Sequence, residues 1–287
     1  MSGTFMSPAA ATHPSGDLEH YYDRQFLSGD DHSELRAWLS TLQPLWEDRY
    51  PSHRPLRHGQ TKRRLLRPVY WLGNWQFACL NYYRPPQGVV DRCVRAEPFP
   101  PRLAHLVGQM EAIARGVFSG VDLPAGWKLN TCLINLYGRR REGELWVDSA
   151  RVRGHKDFEP GPVASLSLGE RALFQFVENN YPEQPGEVLA EQWLENGSLQ
   201  IFGGARWKEL TLHRVERVER SAGHRFVFPL SDFETRRVNF TFRYVPEEHI
   251  VSYACLSEAA RQDVERYVRT LSGRSAFFRE ELAKAGP

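Results

Sequence analysis

The chain has little cysteine: Cys79, Cys93, Cys132 and Cys255 are scattered through 287 residues, with no CxxC pair. That spacing excludes the dense disulfide framework of a small secreted domain. Four small buried hydrophobes in a reducing, cytoplasmic setting are expected instead. No apolar run reaches membrane-spanning length, so no membrane partner is expected. The start is rich in Ser, Pro, Ala and Thr and lacks the basic and apolar regions of a secretory signal; 1–19 are expected to form a disordered tail. Net charge is also close to absent, with 37 Lys+Arg against 35 Asp+Glu, and so names no partner. What is present is 41% hydrophobic and 12% aromatic residues, enough for a sizeable core. Charge is segregated locally. The stretch 49–76 holds seven Arg or Lys and no acid, whereas 174–195 holds five Glu and no base. One face should attract anions and another repel them.

Leu35, Trp38, Leu39 and Leu42 recur at helical spacing and predict a first helix over 31–42, capped by Asp30 or Asp31. Pro101 suits a helix start, and Leu103, Leu106, Val107, Met110, Ile113, Ala114 and Val117 form the stripe of a second helix. From 128 to 245 the period becomes two. Strands are expected over 131–137, 163–168, 173–177, 197–202, 210–218 and 237–245, with 163–168 and 173–177 joined as a hairpin through Gly169-Glu170-Arg171. The tail is helical again, with Ser257 as cap and Gly273 as stop. Many short strands without intervening helices indicate a mainly β sandwich or jelly roll with flanking α-helices. Four segments follow: the tail 1–19, a helical and basic-aromatic extension 20–127, a β domain 128–246 and a helical extension 247–287.

Two features carry chemistry. In His155-Lys156-Asp157, strand geometry would aim an imidazole and a carboxylate at one side. A second imidazole from His213, in a strand-like segment, or from His224, in a loop, would complete the ligand set of a non-haem Fe(II) oxygenase. In Arg237-Val238-Asn239-Phe240-Thr241-Phe242-Arg243, alternation puts two guanidinium groups, an amide and a hydroxyl on one face and three apolar side chains on the other. Facing solvent, this would be an ordinary amphipathic strand; facing a cavity, it would be a dicarboxylate clamp.

Here the sequence resembles a known family. Asn135-x-Tyr137, His155-x-Asp157, Pro162-Val163-Ala164-Ser165-Leu166-Ser167-Leu168-Gly169, Phe174-Gln175-Phe176, Gly197-Ser198-Leu199, His213 and Arg237-x-Asn239-x-Thr241-x-Arg243 follow the order found in the AlkB family of Fe(II)/2-oxoglutarate dioxygenases. The resemblance covers 130–244. It implies a double-stranded β-helix (jelly roll), Fe(II) on His155, Asp157 and His213, and 2-oxoglutarate held by Asn135, Tyr137, Arg237, Asn239 and Arg243. Arg237 would take the far carboxylate, with Arg243 nearer the iron. The family's reaction consumes oxygen, releases succinate and carbon dioxide, and hydroxylates an N-alkyl carbon whose product collapses to an aldehyde and a free base. Glu159, two residues past the ligand Asp, stands where family members recognise the base.

The implied substrate is alkylated DNA or RNA, as a single strand or flipped base, handled by a monomer. Lys62-Arg63-Arg64 beside Tyr70, Trp71, Trp75, Phe77, Tyr82 and Tyr83 suits such a partner, although Trp71, Trp75 and Phe77 alternate like core residues. The chain departs from the family pattern in places. Arg140 replaces a glycine three residues after Tyr137, the interval to His155 is longer by one short hairpin, and a second insertion covers 221–235. These bear on substrate rather than oxidant. A hydroxylase of a protein or small molecule, and a non-catalytic nucleic-acid-binding jelly roll, are the alternatives. An intact ligand set and clamp speak against the last.

Overall fold

The structure is a computed structural model and describes residues 19–49, 63–83, 93–118, 123–180, 186–220 and 225–286. Most of the tail 1–19, part of the basic stretch (50–62, with Lys62) and His224 lie outside the described residues. Two antiparallel sheets dominate. The larger has seven strands in the order β1 (His20–Asp23), β13 (Leu199–Phe202), β10 (Val163–Gly169), β15 (Phe233–Arg243), β7 (Thr131–Glu142) and β4 (Val69–Leu72), with β8 (Leu145–Asp148) paired to the extended end of β7. The smaller runs β12 (Val188–Leu194), β11 (Ala172–Val177), β14 (Leu212–Val218) and β9 (Val152–His155). Two short ladders join β2 (Asp48–Arg49) to β3 (Arg63–Arg64) and β5 (Asn74–Trp75) to β6 (Val94–Arg95). This is the expected jelly roll. The large sheet crosses the boundary drawn at 127/128, since β1 and β4 belong to it.

The expected hairpin between 163–168 and 173–177 is not formed. Both edges of β10 are taken by β13 and β15, and both edges of β11 by β12 and β14. Gly169 instead carries the chain from one sheet to the other. Its φ is +93°, and a Cβ there would meet Arg236 O at 2.4 Å, so only glycine fits this corner.

Helix α1 (Gly29–Leu39) starts and ends earlier than its apolar spacing suggests. Ser28, not Asp30 or Asp31, is the N-cap: its hydroxyl accepts from Asp31 N at 3.2 Å, and the Asp31 carboxylate accepts from Ser28 N at 2.9 Å. That reciprocal capping box uses Asp31 three residues into the motif. Helix α2 (Pro101–Val117) has Pro at its first position and buries Leu103, Leu106, Val107, Met110 and Ala114 as expected. Helices α3 (Glu258–Ser272) and α4 (Ala276–Ala285) are capped by Ser257 and Ser275. No described helix is long and apolar enough to cross a membrane.

Two cores result. One lies between the sheets, built from Tyr22, Val163, Phe174, Phe176, Leu194, Phe202, Trp207 and Val215. The larger covers the outer face of the large sheet, where Val238, Phe240 and Phe242 meet α1, α2 and the C-terminal helices. Trp71, Trp75 and Phe77 belong to this core, all at or below 1% exposure. Trp75 stacks on Phe77 (5.0 Å) and meets Phe278 of α4 (6.1 Å), while Phe77 stacks on Tyr267 of α3 (5.6 Å). The C-terminal helices thus close the N-terminal aromatic cluster. Cys79, Cys93 and Cys132 are buried as expected; Cys255 is exposed, because it sits at the end of a 3-10 turn before α3.

A buried carboxylate holds this cluster at its base. Glu47 accepts from Trp75 Nε1 at 2.6 Å and from Ala78 N at 2.7 Å. Burial pushes its pKa from 4.5 up to about 7, against the pull of those hydrogen bonds. The folded state therefore binds the proton more tightly than the unfolded chain, so stability falls as pH rises from about 4.5 to 7. In Glu47→Gln this slope should vanish. Across that window the parent should lose roughly 3 kcal/mol relative to the variant in denaturant titrations.

Candidate active site

The two candidate imidazoles are cross-strand partners. His155, the last residue of β9, lies directly opposite His213 of β14, with ring centroids 4.3 Å apart. Asp157 is not on the strand. β9 ends at His155, so the expected same-side strand geometry gives way to a loop that turns Asp157 back toward the pair. Its Oδ2 lies 3.4 Å from His213 Nε2. One ligand atom from each of His155, Asp157 and His213 lies within 4.8 Å of the others. His155 Nδ1 is 2.9 Å from Arg153 O; with the proton on Nδ1 this bond leaves Nε2 as the free ligand atom. His213 stacks on Phe174 (5.7 Å) and meets Phe202 at 5.1 Å, so the inter-sheet core fixes its ring.

Electrostatics favour a cation here. The His155 pKa is pushed down to about 4, first by burial and then by the adjacent His213. The residue as a whole is exposed at the strand end, so the neighbouring imidazole is the firmer of the two causes. Either way the ring is neutral and ready to ligate at neutral pH. Burial would raise the Asp157 pKa, but the Arg243 guanidinium, with help from His213, outweighs it and holds the carboxyl well below its ordinary value. Arg243 Nη2 lies 2.7 Å from Asp157 Oδ1, and its Nε lies 3.6 Å from Glu159 Oε2.

The arginine strand faces inward. Arg237 is 0% exposed; Asn239 and Arg243 are each 7% exposed. Arg237 Nη2 donates to Ser167 Oγ (2.7 Å) and Asn239 Oδ1 (3.2 Å), and Nη1 donates to Glu170 O (3.0 Å). Its Nε has no hydrogen-bond partner. Burial lowers its pKa to about 10, which still leaves it charged at neutral pH. The acid nearest in effect, Glu170, is engaged by Arg236 at 3.2 Å. A buried guanidinium held by neutral acceptors calls for an anion. Across the β7–β15 ladder, Asn135 faces Asn239 and Tyr137 faces Arg237. The set expected for 2-oxoglutarate therefore shares one face of the large sheet, with Arg243 at the end joined to Asp157 and Arg237 six residues away.

The donor set of two imidazoles and one carboxylate fits Fe(II). The buried, partly unpartnered Arg237 fits a carboxylate of 2-oxoglutarate. Glu159 is brought to the site, at 5% exposure beside Arg243.

The sequence assigns no role to several residues at the site. Ser165 and Ser167 hold Asn239 through bonds of 3.1 and 3.4 Å. Their polar alternation within an apolar strand was the available signal. Arg67 comes from the N-terminal half: its guanidinium lies 4.8 Å over the Tyr137 ring, Nε is 3.4 Å from Asn135 Oδ1, and Nη1 donates to Arg151 O at 2.9 Å. Nothing local marks Arg67 among the seven basic residues of 49–76. The insertion 138–154 is the expected hairpin, pairing Arg139 with Asp148 and Glu142 with Leu145, with Trp146 43% exposed at its tip.

Residues 20–243 match the family model described as the 2OG-Fe(II) oxygenase superfamily. No curated protein matches the sequence. Among solved structures the chain is similar to one described as OsALKBH1, at 21% identity, covering 79% of this chain and 98% of that one, with a TM-score of 0.48. It is also similar to a bsmA homolog from Methylobium petroleophilum PM1, at 11% identity over 76% of this chain and 82% of that one, TM-score 0.35. A third is YcfD, a ribosomal oxygenase from Escherichia coli in complex with cobalt and 2-oxoglutarate, at 13% identity over 77% of this chain and 45% of that one, TM-score 0.31.

Removing a ligand should cost more than removing a supporting group, whose loss weakens metal sites by about 10- to 100-fold. Asp157→Ala and His213→Ala should each weaken Co(II) binding to the metal-free protein by more than about 100-fold in a calorimetric titration. His224→Ala should leave the affinity unchanged.

Proposed function

The chain belongs to the 2OG-Fe(II) oxygenase superfamily, and within it we propose an oxidative dealkylase of N-alkylated nucleic-acid bases. It is a dioxygenase that uses Fe(II) and 2-oxoglutarate. The observation that carries the reading is the buried face of β15, where Arg243 is tied to Asp157 and Arg237 waits, charged and enclosed, farther along the strand.

When bound, Fe(II) and 2-oxoglutarate supply the oxygen activation and carbon hydroxylation of the superfamily. In our reading the side chains of this chain divide the remaining work. His155, Asp157 and His213 occupy three coordination positions and leave the others open to cosubstrate and oxygen. Arg237 pairs with the far carboxylate of 2-oxoglutarate, fixed in place by Ser167 and by the Glu170 carbonyl. Asn135, Tyr137 and Asn239 line the path between the two arginines. Arg243 keeps Asp157 ionised, so that it ligates as a carboxylate. Phe174 and Phe202 wall the His213 side and exclude water there. Glu159 is placed to accept a hydrogen bond from a base held at the metal.

The order of motifs from Asn135 to Arg243 supports a nucleic-acid substrate, as does the basic segment beside the site. Arg49 lies 5.9 Å over Tyr82 and Arg67 lies 4.8 Å over Tyr137. Guanidinium groups of this kind suit a phosphate backbone.

With Fe(II), oxygen and 2-oxoglutarate, an N-methylated single-stranded oligonucleotide should release formaldehyde in step with succinate. Arg237→Ala should lower kcat/KM for 2-oxoglutarate by about 10- to 100-fold, the worth of one charge-assisted contact. Succinate formed only with a peptide or small molecule, with no formaldehyde from any methylated oligonucleotide, would replace the dealkylase reading by a hydroxylase.

A further inference from the structure

Two lysines cross the gap between the metal-ligand segments in opposite directions. Lys156 sits between His155 and Asp157, and its ammonium donates to Glu209 O. Lys208 reaches the other way, and its ammonium donates to both Glu159 O and Gly161 O. Lys208 is only 8% exposed, an uncommon burial for a lysine. Glu159 and Gly161 lie in the loop that carries Asp157, whereas Lys208 and Glu209 belong to a π-helical turn, Ala205–Leu210, that leads into His213.

The backbone does little to hold that loop. β9 is a four-residue strand at the sheet edge, and only His155 and Val152 find register partners in β14, with an irregularity between them. Asp157 lies beyond its end. The π-helical turn, in contrast, is seated firmly. Trp207 packs on Phe176 at 4.5 Å, and Thr211 Oγ1 donates to Trp207 O at 3.2 Å. A π-helical turn is rare and concentrates at functional sites. Here its wider step sends Trp207 into the core and the next residue, Lys208, toward the ligand loop.

We propose that Lys156 and Lys208 form a reciprocal clasp that sets the Asp157 carboxylate against His155 and His213, and that both are positioning residues for metal binding. The proposal rests on the assignment of His155, Asp157 and His213 as ligands. The clasp acts through main-chain carbonyls, so it shapes the loop without adding a ligand. It also fixes where Glu159 leaves the backbone, so base recognition and metal geometry share one support.

The test is titration of the metal-free protein with Co(II), read by affinity and by the visible spectrum of the bound ion. Lys208→Met should weaken Co(II) binding by about 10- to 100-fold, as loss of a supporting group does at other metal sites, and should shift the Co(II) spectrum. The thermal midpoint of its metal-free form should stay near the parent's. Lys156→Met, on the more open side, should show a smaller loss and a shift in the same direction, and it decides alone if Lys208→Met does not fold. Parental affinity and an unchanged spectrum in the folded variants would overturn the clasp. If Asp157→Ala also kept parental affinity, the ligand assignment itself would fall. Loss of binding in Asp157→Ala together with parental binding in the lysine variants would sink only the clasp.

Discussion

Asp157 is held between an imidazole pair and a guanidinium. One of its oxygens faces the imidazoles, and the other is held 2.7 Å from Arg243. Those two contacts come from different sheets. His155 and His213 are cross-strand neighbours in the small sheet, and Arg243 ends the central strand β15 of the large one. The carboxylate therefore couples the sheets at the mouth of the sandwich. Burial of such a group without both partners would raise its pKa and leave it protonated, a poor ligand. Arg243 and His213 together keep this one side chain ionised.

The other end of the polar face of β15 shows the complementary arrangement. Gly169 turns the chain from the large sheet to the small one, and the next residue supplies the carbonyl that holds Arg237. The corner that makes the topology possible thus also anchors the deepest charge. Ser167 and Asn239, a register pair on β10 and β15, fix the other side of the same guanidinium. The two arginines of one strand face differ in role because their surroundings differ. Arg243 is neutralised by Asp157 and Glu159, whereas Arg237 meets only neutral acceptors and keeps its charge for a ligand.

Much of this could be read in the sequence, and the reasons for the rest are physical. Strict alternation in 237–243 marks both the strand and its polar face, because the two faces pack against different surroundings, one apolar and one lined by polar groups. The order of motifs names His155, Asp157 and His213, and the structure brings one ligand atom of each within 4.8 Å of the others. The strand pairing was less visible: 163–168 and 173–177 are separated by so few residues that a hairpin was the natural expectation. What decides between a hairpin and a corner is which distant strands occupy the edges, and no local pattern records that. The π-helical turn at 205–210 was hidden for a related reason. Leu210 and Leu212 alternate with polar residues as a strand would, yet Leu210 is 68% exposed. Short apolar alternation reports on one face being dry only when tertiary packing makes it so.

The N-terminal half is part of the site and not a cover laid over it. β4 completes one edge of the main sheet beside β7, and the residue two positions before it, Arg67, lies across Asn135 and Tyr137. Those two side chains project from the strand that pairs with the arginine strand. Any displacement of the basic segment around Arg67 must therefore change the surface that Asn135 and Tyr137 present. Asn81 and Tyr82 add to this, since both adopt left-handed backbone angles, φ 67° and 56°, unusual for residues other than glycine. Burial, followed by the Glu47 carboxylate, pushes the Tyr82 hydroxyl above its ordinary pKa, against the pull of Arg49, Arg67 and Arg243. The chain holds strain at the point where its basic segment, its aromatic cluster and its arginine strand converge. In this architecture the groups that would greet a substrate and those that would hold the cosubstrate are mechanically one layer.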